Sequence, residues 1–199
     1  NHADGVKRRR ESPMYRLAKR MAWAGPGFVR PLACLVVCVV LSGCASLDMA
    51  RMVPDTSAGP SRKIPLRVRV AEVTADQKSR FGGPALIDGA GMQGAVVAAL
   101  LRSGIFPGVS AKEGDVDLVV SVLSQDQKDL SITHYTARML VAYKFVAKDG
   151  RTLWSETYDT TASSTALGGA SRTLEAREGA VRENLAAMIQ GVKARWPAQ

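Results

Sequence analysis

The sequence predicts an α+β domain: a four-stranded mixed sheet with two helices on one face, in the order β-α-β-β-β-α. Three observations carry this. Strict apolar alternation recurs in four short stretches, an apolar stripe at helical spacing lies between the first two, and a second, longer stripe closes the chain. A helix between two strands makes a crossover, an Asp-Gly turn makes an antiparallel hairpin, and two amphipathic helices suffice to cover one sheet face.

Leu66-Arg67-Val68-Arg69-Val70 alternates, and with Ala71-Glu72-Val73 it forms the first predicted strand. A loop bearing Gly82-Gly83-Pro84 follows. Met92, Val96, Ala99 and Leu100 then share one helix face, widened by Val97 and Leu101. Gly104 and Pro107 stop that helix. Val116, Leu118, Val120 and Val122 mark the second strand, and the alternate residues Tyr135 to Phe145 mark the third. Lys148-Asp149-Gly150-Arg151 predicts a hairpin turn into a fourth strand over 153–158. Residues 160–171, rich in Ser, Thr, Ala and Gly, read as a mobile loop. Leu174, Val181, Leu185, Met188, Val192 and Trp196 line one face of the closing helix. Glu175 and Glu178 stand toward its positive end, Lys193 and Arg195 toward its negative end.

Charge and cysteines divide the chain unevenly. Of the net charge of +9, residues 1–43 hold +6, so the domain keeps only +3 and its charge gives no reason to expect nucleic acid as a partner. Within that leader the run Leu32–Leu41 is apolar and about ten residues long. The ~20 residues needed to span a bilayer as a helix are not there. A basic start, a short apolar middle and a small-residue exit are the parts of a secretory signal peptide. Leu41-Ser42-Gly43-Cys44 ends it. Cys34 and Cys38 lie inside the leader, so the rest of the chain has Cys44 as its one cysteine and no disulfide.

The predicted division is a signal peptide over 1–43, a lipid-bearing cysteine with a flexible tether over 44–63, and an α+β domain over 64–199. The tether rests on Pro54, Gly59 and Pro60 and the polar Asp55-Thr56-Ser57.

Leu41-Ser42-Gly43-Cys44 resembles the lipobox of bacterial lipoproteins. The resemblance implies export, a lipid on the Cys44 sulfur, and attachment to a membrane through it. Ala45 stands where an Asp would resemble an inner-membrane retention signal, which implies the outer membrane with the domain facing the periplasm. The element order is similar to that of lipopolysaccharide-assembly lipoproteins, penicillin-binding-protein activators, and curli- and exopolysaccharide-secretion lipoproteins. Local likenesses are Ser103–Phe106 before the acidic strand start Asp115-Val116-Asp117-Leu118, the turn 149–154, and Ala176–Val181 opening the last helix. Ala45–Asp48 departs from the Gly-Phe and Leu-Arg that follow the cysteine in lipopolysaccharide-assembly lipoproteins, so the likeness is to the broad group. It implies a non-enzymatic accessory or scaffold in envelope assembly or secretion, with an envelope protein as partner.

Catalytic motifs are thin. Gly89-Ala90-Gly91-Met92-Gln93-Gly94 fits G-x-G-x-x-G, but more than ten residues separate it from Val73 and the acids Asp115 and Asp117 begin a strand rather than end one. It reads as a helix start packed closely on the sheet. His134 is the only histidine after the leader, too few for a triad partner set or a multi-histidine metal site, and reads as a strand-edge residue. Asp115, Asp117, Asp126 and Asp129 are acids at strand ends, where solvation is the ordinary fate. No cofactor and no catalytic residue are expected. Trp154 and Tyr158 share a face of the fourth strand. They are the candidate partner or ligand contacts: exposed, they would favour the alternative of a glycan- or small-ligand-binding lipoprotein. A hydrolase comes third.

Overall fold

The computed structural model describes residues 47–56, 63–75, 86–128 and 133–196. Two compact units divide the chain, Asn1–Cys44 and Ala45–Gln199. All described residues belong to the second. The leader, Cys44, the Gly82-Gly83-Pro84 loop and Asp129 lie outside them.

The elements in chain order are α1 (Met49–Met52), β1 (Arg67–Val70), β2 (Thr74–Ala75), α2 (Gly89–Ser103), β3 (Gly108–Ser110), β4 (Val116–Lys128), β5 (Tyr135–Ala147), β6 (Thr152–Ser164) and α3 (Gly169–Arg195). The sheet order is β3-β1-β4-β5-β6, with β2 pairing β4 beyond the end of β1. β1 runs parallel to β3 and to β4, and β4, β5 and β6 form an antiparallel meander. The sheet is therefore mixed, and α2 supplies the crossover from β1 to β4.

The α+β class stands, but among the described residues the four-stranded sheet is corrected to six strands and the two helices to three. β2 and β3 have two and three residues, too few to carry a readable alternation. β6 reaches Ser164 and α3 begins at Gly169, so most of the expected loop over 160–171 is strand and helix. β4 and β5 are also longer than their apolar alternation. The tail Ser124–Lys128 still pairs with β5, after a register shift between Val122 and Ser124.

The core fills one face of the sheet. Val68 and Val70 of β1, Val116 to Val122 at alternate positions, and the odd-numbered residues of β5 from Tyr135 to Phe145 are buried there. α2 brings Met92, Ala95, Val96, Ala99 and Leu100, and α3 brings Val181, Leu185, Met188, Ile189 and Val192. Phe106, Phe145, Trp154 and Trp196 form an aromatic group at one end, with Phe145 and Trp196 5.0 Å apart edge to face. Gly104 closes α2 at φ 62 and Gly150 turns β5 into β6 at φ 86, where side chains are disfavoured.

The other face carries Arg69, Asp117, Val119, Lys144, Ser155 and Thr157, with no described helix over it. Several of its charges are paired. Asp117 accepts from Arg69 Nε and Nη2 at 2.8 and 2.7 Å and from Lys148 Nζ at 2.7 Å. Arg138 and Asp159 form a bidentate pair farther along.

Candidate functional site

Part of the segment read as a tether packs onto the domain. Asp48 caps α1, its carboxylate accepting from the Ala50 N–H at 2.9 Å. Met52, Val53 and Pro54 are buried. Farther on, the Ile64 N–H donates to the Ile105 carbonyl at 2.8 Å, which ties the entry to β1 against the end of α2. The strap 47–56 thus lies across α2 and α3 instead of standing off in solvent.

Its polar clasp is Glu178. This residue sits in the buried face of α3 at 3 % exposure. One carboxylate oxygen accepts the Asp48 N–H at 2.7 Å, and the other lies 3.9 Å from Arg51. Arg182, one turn on, donates to the Arg51 carbonyl at 3.3 Å. Leu47, Met49 and Met52 border a cleft of about 400 Å³ with Leu86, Ile87, Asp88 and Arg177.

A second polar set seats α3 on the sheet. Asn184, fully buried, accepts from the Tyr143 hydroxyl at 2.8 Å and donates to the Tyr158 carbonyl at 3.1 Å and to Thr160 Oγ1 at 2.9 Å. Burial holds the Tyr143 hydroxyl well above its ordinary range, so it stays a neutral donor. Tyr158 is raised as well, by burial first and then by its hydrogen bond to Glu156, which also pairs with Arg195 at 2.6 Å.

Trp154 and Tyr158 therefore do not make an exposed platform. Trp154 is 6 % exposed and packs on Phe145, and Tyr158 is half-buried beneath α3. The approach is so close that a Cβ on Gly191 would overlap the Tyr158 hydroxyl. The physical reason is register. Trp154 and Tyr158 pair with Phe145 and Val141 of β5, both core positions, so they share the core face.

The G-x-G-x-x-G segment starts α2. Asp88 caps it, accepting the Gly91 N–H at 2.6 Å, and a Cβ on Gly89 would stand 2.6 Å from the Val73 carbonyl oxygen. Glu72 and Asp88 border the adjoining hollow of about 570 Å³. A capped terminus flanked by two carboxylates repels a phosphate. His134 is exposed one residue before β5. Asp115 is held below the usual carboxylate range by the Arg67 N–H and guanidinium, and Asp117 by Arg69 and Lys148. Among the described residues no three His, Cys, Asp or Glu side chains cluster for a metal. None of the described helices is long and apolar enough to cross a membrane.

Sequence reasoning missed Asp48 and Arg51 and read Glu178 only as a charge near the start of the closing helix, whereas α3 begins at Gly169 and Glu178 lies buried well inside it. A signal was present: Asp48 is a good N-cap, and Met52-Val53 is apolar inside a stretch read as solvated.

No protein-family model matches the chain, and no curated protein matches its sequence. Solved structures do resemble it. Protein XCC0632 of Xanthomonas campestris, described under the family name DUF330, aligns over 71% of this chain and 92% of its own, at 17% identity and a TM-score of 0.56. A PelC dodecamer from Paraburkholderia phytofirmans aligns over 69% and 96%, at 16% identity and 0.46. Lipoprotein GNA1162 of Neisseria meningitidis aligns over 66% and 100%, at 13% identity and 0.42. The likeness to the Xanthomonas protein shows a shared fold. The other two are too distant to carry an argument.

Proposed function

We propose that this protein is a lipid-anchored envelope lipoprotein that acts without catalysis, by holding a protein partner on its open sheet. The observation that carries the reading is the edge strand. β6 runs thirteen residues from Thr152 to Ser164, and β5 is its one described partner. At ~3.3 Å per residue such an edge extends roughly 43 Å, and long unpaired edges are ready templates for another chain. Its outward face, with Thr157 and Thr161 exposed, adds side-chain contacts to backbone pairing. The Leu41–Cys44 match supplies export and acylation at Cys44, and Ala45 in the place of a retention Asp favours the periplasmic leaflet of the outer membrane.

Two measurements test this. Acyl labelling of the full chain is expected in the wild type and absent in Cys44→Ser. A photo-crosslinking residue at Thr157 or Thr161 is expected to yield a discrete adduct with one envelope protein in cells, while the same residue at Lys112, in the loop after β3, is not. Unchanged acylation in Cys44→Ser, or no adduct anywhere along β6, would refute the corresponding half.

A further inference from the structure

We infer that the face formed by α1 and the outer side of α2 rests on the bilayer that holds the Cys44 lipid, which fixes the orientation of the domain. This inference rests on the lipoprotein reading.

Reach comes first. Only Ala45 and Ser46 separate Cys44 from Leu47. Three residue steps span at most ~11 Å, even fully extended. Leu47 itself packs against the core, and the next residue is clasped by Glu178. The domain surface around α1 therefore cannot leave the membrane by more than that distance.

That surface also presents an exposed apolar stripe. Met49 of α1 lies against α2, its methyl carbon 3.0 Å from where a Cβ on Gly94 would be. Gly94, Val97 and Leu101 follow at helical spacing along the same side of α2. Leu101 is 52 % exposed and Met49 is 38 % exposed, two of five large apolar side chains so open among the described residues. Arg51 and Arg102, both exposed, stand beside the stripe, with long side chains suited to phosphate headgroups. Such a patch is too small to hold a bilayer by itself. Tethered by two residues to acyl chains already inserted, it meets the surface at high effective concentration, and weak contact suffices.

The open face of the sheet gives the internal comparison, because Val119 is 37 % exposed there. Cys34 and Cys38 depart with the leader and acylation consumes Cys44. A cysteine placed at Leu101 or Val119 is then the only free thiol of the processed full-length protein. Each variant is purified in its acylated form, matched to wild type in melting temperature, labelled with an environment-sensitive fluorophore and reconstituted into phosphatidylethanolamine–phosphatidylglycerol vesicles. The Leu101→Cys label is expected to shift to the blue and to be quenched by spin-labelled lipid, and the Val119→Cys label to do neither. If the protein is acylated and vesicle-bound but the Leu101→Cys label stays wet, or the Val119→Cys label is the one quenched, the inference is overturned and the lipoprotein reading stands. A blue shift of the Leu101→Cys label without vesicles would assign the stripe to protein contact and overturn it too. Absence of the acyl group on Cys44 would remove both readings.

Discussion

Glu178 and Asp48 are 130 residues apart in sequence and joined by a 2.7 Å hydrogen bond from the Asp48 N–H to a buried carboxylate. That bond closes the strap over the helix pair, and α1 follows directly from it. Glu178→Ala should leave a partly buried N–H without its acceptor and Arg51 without its second carboxylate, at a cost of about 1–3 kcal/mol. Hydrogen exchange is the decisive measurement. Amides of Asp48–Met52 are expected to exchange faster in the variant while those of β4 and β5 stay protected. Unchanged exchange in the strap would mean that apolar contacts of Met52 and Val53 hold it alone.

Asn184 joins three groups beneath α3. Asn184→Ala strips the partner from the Tyr143 hydroxyl and from the Tyr158 carbonyl together, and about 2–4 kcal/mol of destabilisation is expected by urea unfolding. Tyr143→Phe, which orphans only the Asn184 oxygen, should cost less. The same tyrosine contributes to the alkaline limb, as Tyr158 does. Its native pKa is raised above the ordinary 10.0, so its contribution is intact below pH 10 and lost as pH rises beyond it. Melting temperatures should fall above pH 10 in the wild type and fall less steeply in Tyr143→Phe.

Gly191 faces the Tyr158 ring through a gap that no side chain can enter. Gly191→Ala should destabilise by ~1–3 kcal/mol through overpacking, despite the better helix propensity of alanine. Adding Tyr158→Phe removes the overlapping hydroxyl, so the double variant should lose less than the sum of the two singles. Strict additivity in thermal melts would show that α3 shifts away from β6 as a body.

Asp117 predicts the acid limb. Hydrogen bonds from Arg69, and then from Lys148, hold its carboxyl below the ordinary 3.8. A depressed native pKa stabilises the fold above the unfolded value, and this contribution disappears as pH falls from about 4 through the native value. Asp117→Asn should therefore flatten the dependence of stability on pH below 4 and leave the alkaline limb unchanged. An identical acid profile would place the titration elsewhere.

Legibility of the sequence followed burial. The alternation of Val116–Val122 and Tyr135–Phe145 was readable because one sheet face is apolar and the other is not. The ends of β4 and β6 were not readable. Ser124–Lys128 is polar throughout and Asp159–Ser164 has Ala162 as its one apolar residue, so pairing to β5 holds both segments without an apolar alternation. β2 and β3 are shorter than one alternation. Gly104 and Gly150 marked their turns because positive φ selects glycine. Trp154 and Tyr158 were found as a same-face pair, but alternation alone does not say which face the closing helix takes. The strap was hidden for a different reason: prolines and small polar residues look solvated unless a distant carboxylate receives their backbone, and a contact across 130 residues leaves no local trace.

That separation also makes the strap dependent on the rest of the domain. Its polar clasp exists only when α3 is seated on the sheet with Glu178 facing Asp48 and Arg51. Any partial opening that lifts α3 therefore frees residues 48–52 with it, while the strap can come loose without disturbing the sheet. The strap is thus a reporter of the state of α3, the element farthest from it along the chain.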